Sequence, residues 1–139
     1  MARKRVLIVE DEADTRAMIG EMIGRAGYEP ADAADGTEGL AKAESFRPHV
    51  ILLDVRMPGL DGYEVCQGLK ENPKTKTIPV IFVTAVQDDA LNRLAYQAGA
   101  VACITQPFRP EALVAIIKAA IASAERKARP KTKRVEIGR

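Results

Sequence analysis

Apolar residues in this chain gather in short unbroken runs, and between the runs they recur every three or four positions. Val6-Leu7-Ile8-Val9, Val50-Ile51-Leu52-Leu53 and the β-branched segment from Ile78 to Thr84 are the clearest runs. Continuous blocks of this kind, bounded by Gly, Pro or acidic residues, read as strands buried on both faces. Two weaker strands are expected at Glu29 to Asp35 and at Val101 to Thr105. From Asp14 to Gly27, residues Ala17, Met18, Met22, Ile23 and Ala26 fall at helical spacing, with Asp14 placed as N-cap and Gly27 as terminator. Leu40, Ala41 and Ala43 mark a second helix that ends before Pro48, and Tyr63, Val65, Cys66 and Leu69 mark a third. A fourth helix is expected from about Asp88 to Gln97. A last one runs from Pro110 to about Lys127, with Leu113, Ile116, Ile117, Ala120 and Ile121 inward and Pro110 suited to its first turn. Five strands alternating with five helices predict an α/β domain with a parallel sheet wrapped on both faces by right-handed crossovers.

Parallel strands share one carboxyl edge, and that edge is where open α/β sheets place their chemistry. The first strand ends in Glu10-Asp11-Glu12, the third in Asp54, the fourth in Thr84 and the fifth in Thr105-Gln106. Several oxygen donors on one rim suit a hard octahedral cation such as Mg²⁺. Carboxylates crowded together without a cation would repel one another and take up protons. A metal relieves that strain and leaves one carboxylate free to attack a phosphoryl group. A single Asp at a strand end is most often a cap or a loop acid; the company of Glu10, Asp11 and Thr84 makes Asp54 a nucleophile candidate. Thr84 on its own would be an ordinary strand residue. His49 has no His or Cys partner nearby and reads as a structural or surface residue.

The 139 residues, 47% of them hydrophobic, make about one domain with a sizeable core. Cys66 and Cys103 lie in apolar stretches without metal-ligand spacing and read as free thiols in a reducing compartment. Only four apolar residues follow the basic start before Glu10, too few for a signal core or a membrane span, so a cytoplasmic protein without membrane contact is expected. From Arg126 onward seven Lys and Arg stand against Glu136 alone, which leaves the preceding body net acidic. Residues 1–127 are therefore read as one domain and residues 128–139 as a basic, flexible tail or linker. The tail has no interleaved aromatics and no helix-turn-helix pattern, which argues against nucleic-acid binding.

Taken together, VLIVEDE, LLDVRMPGLDG, VTA and QPF resemble the receiver domains of bacterial two-component response regulators, of the chemotaxis-regulator kind, over roughly Lys4 to Ala124. The resemblance places Glu10 and Asp11 on the family's acidic pair, Asp54 on its phosphoacceptor, Thr84 on its hydroxyl switch position, and Pro107-Phe108 on its Lys-Pro-Phe. It implies a flavodoxin-like (βα)5 fold with strand order 2-1-3-4-5. It also implies Mg²⁺ bound by Asp11, Asp54 and the backbone carbonyl of Arg56, with Glu10 acting through water. The implied partner is a sensor histidine kinase or phosphotransfer protein that supplies a phosphoryl group to Asp54. The signal would pass through the face made by the fourth helix, fifth strand and fifth helix to a downstream protein that the sequence does not identify.

Two positions depart from the family pattern. Gln106 stands where the family usually carries a lysine, keeping a hydrogen-bond donor and losing the charge. Cys103 stands at the family's aromatic switch position. These departures motivate an alternative, a degenerate receiver that acts as a phosphorylation-independent interaction module. An enzyme is not expected: hydrolases of the haloacid dehalogenase type carry a second Asp two residues after the nucleophile, and here that residue is Arg56.

Overall fold

The apolar runs form strands where expected in the computed structural model, which describes residues 2–85 and 89–128. Strands β1 (Arg5–Val9), β2 (Glu29–Ala33), β3 (Val50–Asp54), β4 (Val80–Thr84) and β5 (Ala102–Thr105) alternate with helices α1 (Ala13–Arg25), α2 (Gly36–Phe46), α3 (Gly62–Glu71), α4 (Asp89–Gln97) and α5 (Pro110–Ala128). All pairings are parallel and the order is β2-β1-β3-β4-β5, the flavodoxin-like order that the resemblance implied. The start expected for the fourth helix at Asp88, and the tail beyond Ala128, lie outside the described residues.

Side chains alternate between two apolar layers. Leu7, Val9, Ile51, Leu53, Val80 and Phe82 pack beneath α2, α3 and α4, while Val6, Ile8, Val50, Leu52, Ile81 and Val83 pack beneath α1 and α5. Because β1, β3 and β4 are buried on both faces, they carry no polar alternation, which is why each reads as an unbroken apolar run. Register follows from the same burial. Val9 lies level with Leu53, Leu53 with Phe82 and Phe82 with Cys103, so the next residues along β1 and β3 emerge together at the carboxyl edge.

Several local expectations change. Glu12, not Asp14, holds the N-cap position of helix α1, without a side-chain cap hydrogen bond, and the buried stripe is Ile19 and Ile23; Met18, assigned to the inward face by spacing, is 41% exposed. Asp35 does not extend β2. Its carboxylate accepts the Glu38 amide at 2.8 Å as N-cap of α2, and Glu38 accepts the Ala34 amide at 2.8 Å in return. Ala41 faces outward on α2, and Gly36, Gly39 and Ala43 face inward because only small residues fit against Val9, Leu60 and Val65. His49, expected to be structural or at the surface, is structural: its Nδ1 accepts the Arg5 amide at 2.9 Å, and burial lowers its pKa.

Gly62 fixes the loop that follows Asp54. Its amide donates to the Val55 carbonyl at 2.9 Å, Asp61 and Glu64 close a capping box over it, and a Cβ there would run into the Asp54 carbonyl, Val55 and the Phe82 ring. Gly62→Ala is expected to cost about 1–3 kcal/mol through overpacking. Denaturant unfolding is the measurement; an unchanged midpoint would mean that the loop yields without cost.

Candidate functional site

The carboxyl edge of the sheet brings Glu10, Asp11 and Asp54 together. One carboxylate oxygen from each lies within 4.8 Å of the others. The strand ends enforce this arrangement. The Glu10 amide extends the β1–β2 ladder by donating to Ala33 at 3.1 Å, and Asp54, the last residue of β3, lies level with Val83 of β4. Glu10 is 7% exposed, and its Oε2 accepts the Glu12 amide at 3.1 Å. Asp54 is half-buried and Asp11 exposed, so the cluster forms a graded pocket that opens to solvent at one side.

The electrostatics follow from burial. Withdrawal from water raises the Glu10 carboxyl to about 7, reinforced by the charges of Asp54 and Asp11. Burial likewise raises Asp54 to about 6, with the Asp11 charge adding to it and the Arg56 amide, which donates to the carboxylate, opposing it. None of the main causes of either shift is a positive charge. The donors are hard oxygens, clustered and partly dehydrated, and among the described residues no cationic side chain pairs with their carboxylates, so this set fits a hard divalent ion such as Mg²⁺.

The other expected residues take their places on the same edge. Thr84 ends β4, is 6% exposed and pairs with Thr105; its carbonyl accepts the Gln106 amide at 2.7 Å. Gln106 borders a cavity of 350 Å³ together with Met18, Met22, Ala85, Pro107 and Phe108. Arg56 is exposed in the loop after Asp54. Cys103 lies level with Phe82, whose ring packs against Tyr63 at a centroid distance of 5.4 Å. An aromatic pair thus sits behind the rim on β4 and α3, while the β5 position beside it carries a thiol.

Sequence reasoning missed Arg16. From the first turns of α1 its guanidinium donates to the Glu10 carbonyl at 2.8 Å and lies 3.7 Å from Asp32. It ties the acidic loop to α1 through backbone and not through the carboxylates. An arginine six residues after Glu10 on a helix was the available signal, but only the fold turns it back toward that carbonyl.

A family profile described as the response regulator receiver domain matches residues 6–118. The chain belongs to this family. Among related proteins, the probable transcriptional regulator ycf27 of Cyanophora paradoxa is 37% identical over 123 residues, covering 88% of this chain and 50% of that protein. The receiver spans about half the length of the curated relatives it matches. Among solved structures, the chemotaxis protein CheY4 of Vibrio cholerae has a TM-score of 0.82 at 33% identity, covering 86% of this chain and 99% of that one. The receiver domain of the sensor histidine kinase PA1611 from Pseudomonas aeruginosa has a TM-score of 0.81 at 30% identity, covering 87% and 99%, and that structure holds a magnesium ion coordinated in its active-site cleft. Among the described residues, no helix of the receiver is long and apolar enough to cross a membrane.

The raised carboxyls make the receiver's stability depend on pH. The folded state holds the Asp54 proton up to about pH 6, against an ordinary value of 3.8, so the folded state binds more protons through that window. This contribution is fully present below about pH 4 and is lost as pH rises through 6. At pH 7.5 in EDTA, Asp54→Asn is expected to stabilise the fold by on the order of 1 kcal/mol, after allowance for solvent screening at the open rim. The gain should vanish toward pH 4. Chemical denaturation of both proteins across that range is the check, and a gain independent of pH would contradict the electrostatic cause.

Proposed function

We propose that Asp54 accepts a phosphoryl group from the phosphohistidine of a sensor histidine kinase or phosphotransfer protein, with Mg²⁺ held by Asp11, Asp54 and the Arg56 backbone carbonyl and with Glu10 acting through water. The observation that carries this reading is the convergence of three carboxylates within 4.8 Å on a rim where burial raises two of them. An Asp54 oxygen attacks phosphorus in line, the N–P bond breaks, and the electron pair returns to the departing imidazole. Such transfers depend chiefly on positioning and charge neutralisation. When bound, the cation supplies that neutralisation. Asp54 is presented at the strand end by a backbone that cannot slide, and the Arg56 amide favours its ionised, nucleophilic form. In this reading Thr84, on the adjacent strand, turns its hydroxyl to the new phosphoryl group and carries the change toward α4, β5 and α5, the face read by the downstream protein. We read residues 1–127 as the receiver unit and 128–139 as a basic linker.

A second reading has specific support. Gln106 at the position where the family usually carries lysine leaves the rim without the ammonium that would grip a phosphoryl oxygen. Such a charge-assisted contact is worth roughly 1.5–3 kcal/mol. With Cys103 in place of a switch aromatic, the alternative is a receiver that binds its partner without phosphorylation.

One experiment separates the two. Incubated with acetyl phosphate and Mg²⁺, the chain is expected to gain a phosphoryl adduct by intact mass, and Asp54→Ala is expected to gain none. Gln106→Lys should raise the labelling rate or yield by about tenfold or more. No adduct on the wild-type chain, with full labelling restored by Gln106→Lys, would assign the degenerate role. NMR titration with Mg²⁺ should move the amides of Asp11, Asp54 and Arg56, and unmoved amides would rule out the metal ligands named above.

A further inference from the structure

The opposite edge of the sheet carries a second charged feature, of opposite sign. Where the chain enters β4 and approaches β5, a cleft of 380 Å³ opens between the C-terminal ends of α3 and α5. Its rim holds Lys70, Lys76 and Lys127, its wall includes Pro79 and Val101, and Ser123 offers a hydroxyl; none of its lining residues is acidic. The volume falls within the range of small-ligand sites.

The three lysines are not equivalent. Lys70 is fixed: its stem lies against Gly99, where a Cβ would come within 2.9 Å of its Cγ, and its Nζ donates to the Ile78 carbonyl at 2.9 Å and the Lys76 carbonyl at 3.2 Å. Three donors on an ammonium against two carbonyls leave one for a further partner. Lys76 and Lys127 are exposed, and among the described residues neither they nor Lys70 form an ion pair. Glu125, the nearby acid on α5, is engaged by Lys4 at 2.6 Å. Lysines in the last turns of α3 and α5 complement the helix dipoles, which accounts for Lys70 and Lys127. It accounts neither for Lys76 in the intervening loop nor for the lack of any acid in the lining. Burial lowers the Lys70 pKa, the Cys66 thiol opposes that shift, and the Lys127 charge adds to it. Beside these charges Val101 is 45% exposed, one of few large apolar side chains left open to solvent.

We propose that this cleft binds a nucleotide, with its phosphates on Lys76, Lys127 and the remaining Lys70 donor and its base against Pro79 and Val101. Charge selects the phosphates, and the apolar wall selects a flat ring over a bare anion. The site lies at the edge of the sheet opposite Asp54, so an occupant there does not compete for the acidic rim.

The probe is ADP, titrated into the full chain in EDTA and followed by amide NMR shifts. Saturable shifts are expected at Lys76, Gly99 and Val101. The double variant Lys76→Gln/Lys127→Gln, which removes two exposed charges that form no ion pair among the described residues, should weaken binding by about tenfold or more. Pyrophosphate should bind at the same residues but more weakly. The proposal is overturned by the absence of saturation, by shifts confined to Asp11 and Asp54, by equal binding of ADP to the double variant, or by equal affinity for pyrophosphate and ADP.

Discussion

Strands β1, β3 and β4 are buried on both faces, and this constraint governs the rest of the molecule. A slip of one residue in any of them would exchange the two apolar layers and drive Glu10 or Asp54 into the core, so their ends are held level. Three carboxylates are thereby fixed within 4.8 Å at an edge they cannot leave. The sheet's hydrophobic energy holds together groups that would otherwise move apart.

The consequences spread outward from that conflict. Burial and mutual repulsion raise Glu10 and Asp54, favouring protons or a cation at the rim. Most of the structures around the cluster act on its backbone: Arg16 donates to the Glu10 carbonyl and the Asp61–Glu64 capping box with Gly62 sets the path of the loop, while the Arg56 amide donates to the Asp54 carboxylate without bringing a positive charge to it. The rim is positioned tightly and neutralised poorly. That combination suits a site completed from outside by a cation, as the proposed function requires.

The domain is also electrically polar from end to end. Three acids gather at the carboxyl edge of the sheet, while lysines that form no ion pair among the described residues border a cleft at the amino edge. Crossover helices deliver their C-terminal turns to that amino edge, where lysines are favoured, so the separation of charge arises partly from the topology.

Much of this was written in the sequence because its causes are local or periodic. Short apolar runs rich in β-branched residues and bounded by Gly, Pro or acids read as doubly buried strands, and the acidic residues that ended them shared an edge in any parallel arrangement. The fold class, the strand order implied by the resemblance, and the grouping of Glu10, Asp11 and Asp54 were therefore legible. Tertiary structure decided which face of α1 turns inward, since Ile19 and Met18 are adjacent in sequence and only packing against Ile8 and its neighbours selects the first. It also decided that Asp35 caps a helix instead of extending a strand, because the Glu38 amide comes within reach of its carboxylate only once α2 has formed. The return of Arg16 to the Glu10 carbonyl and the meeting of Lys70, Lys76 and Lys127 around one cleft depend on how helices lie across the sheet. Periodicity specifies which residues share a face of one element, and only the docking of elements specifies which faces meet.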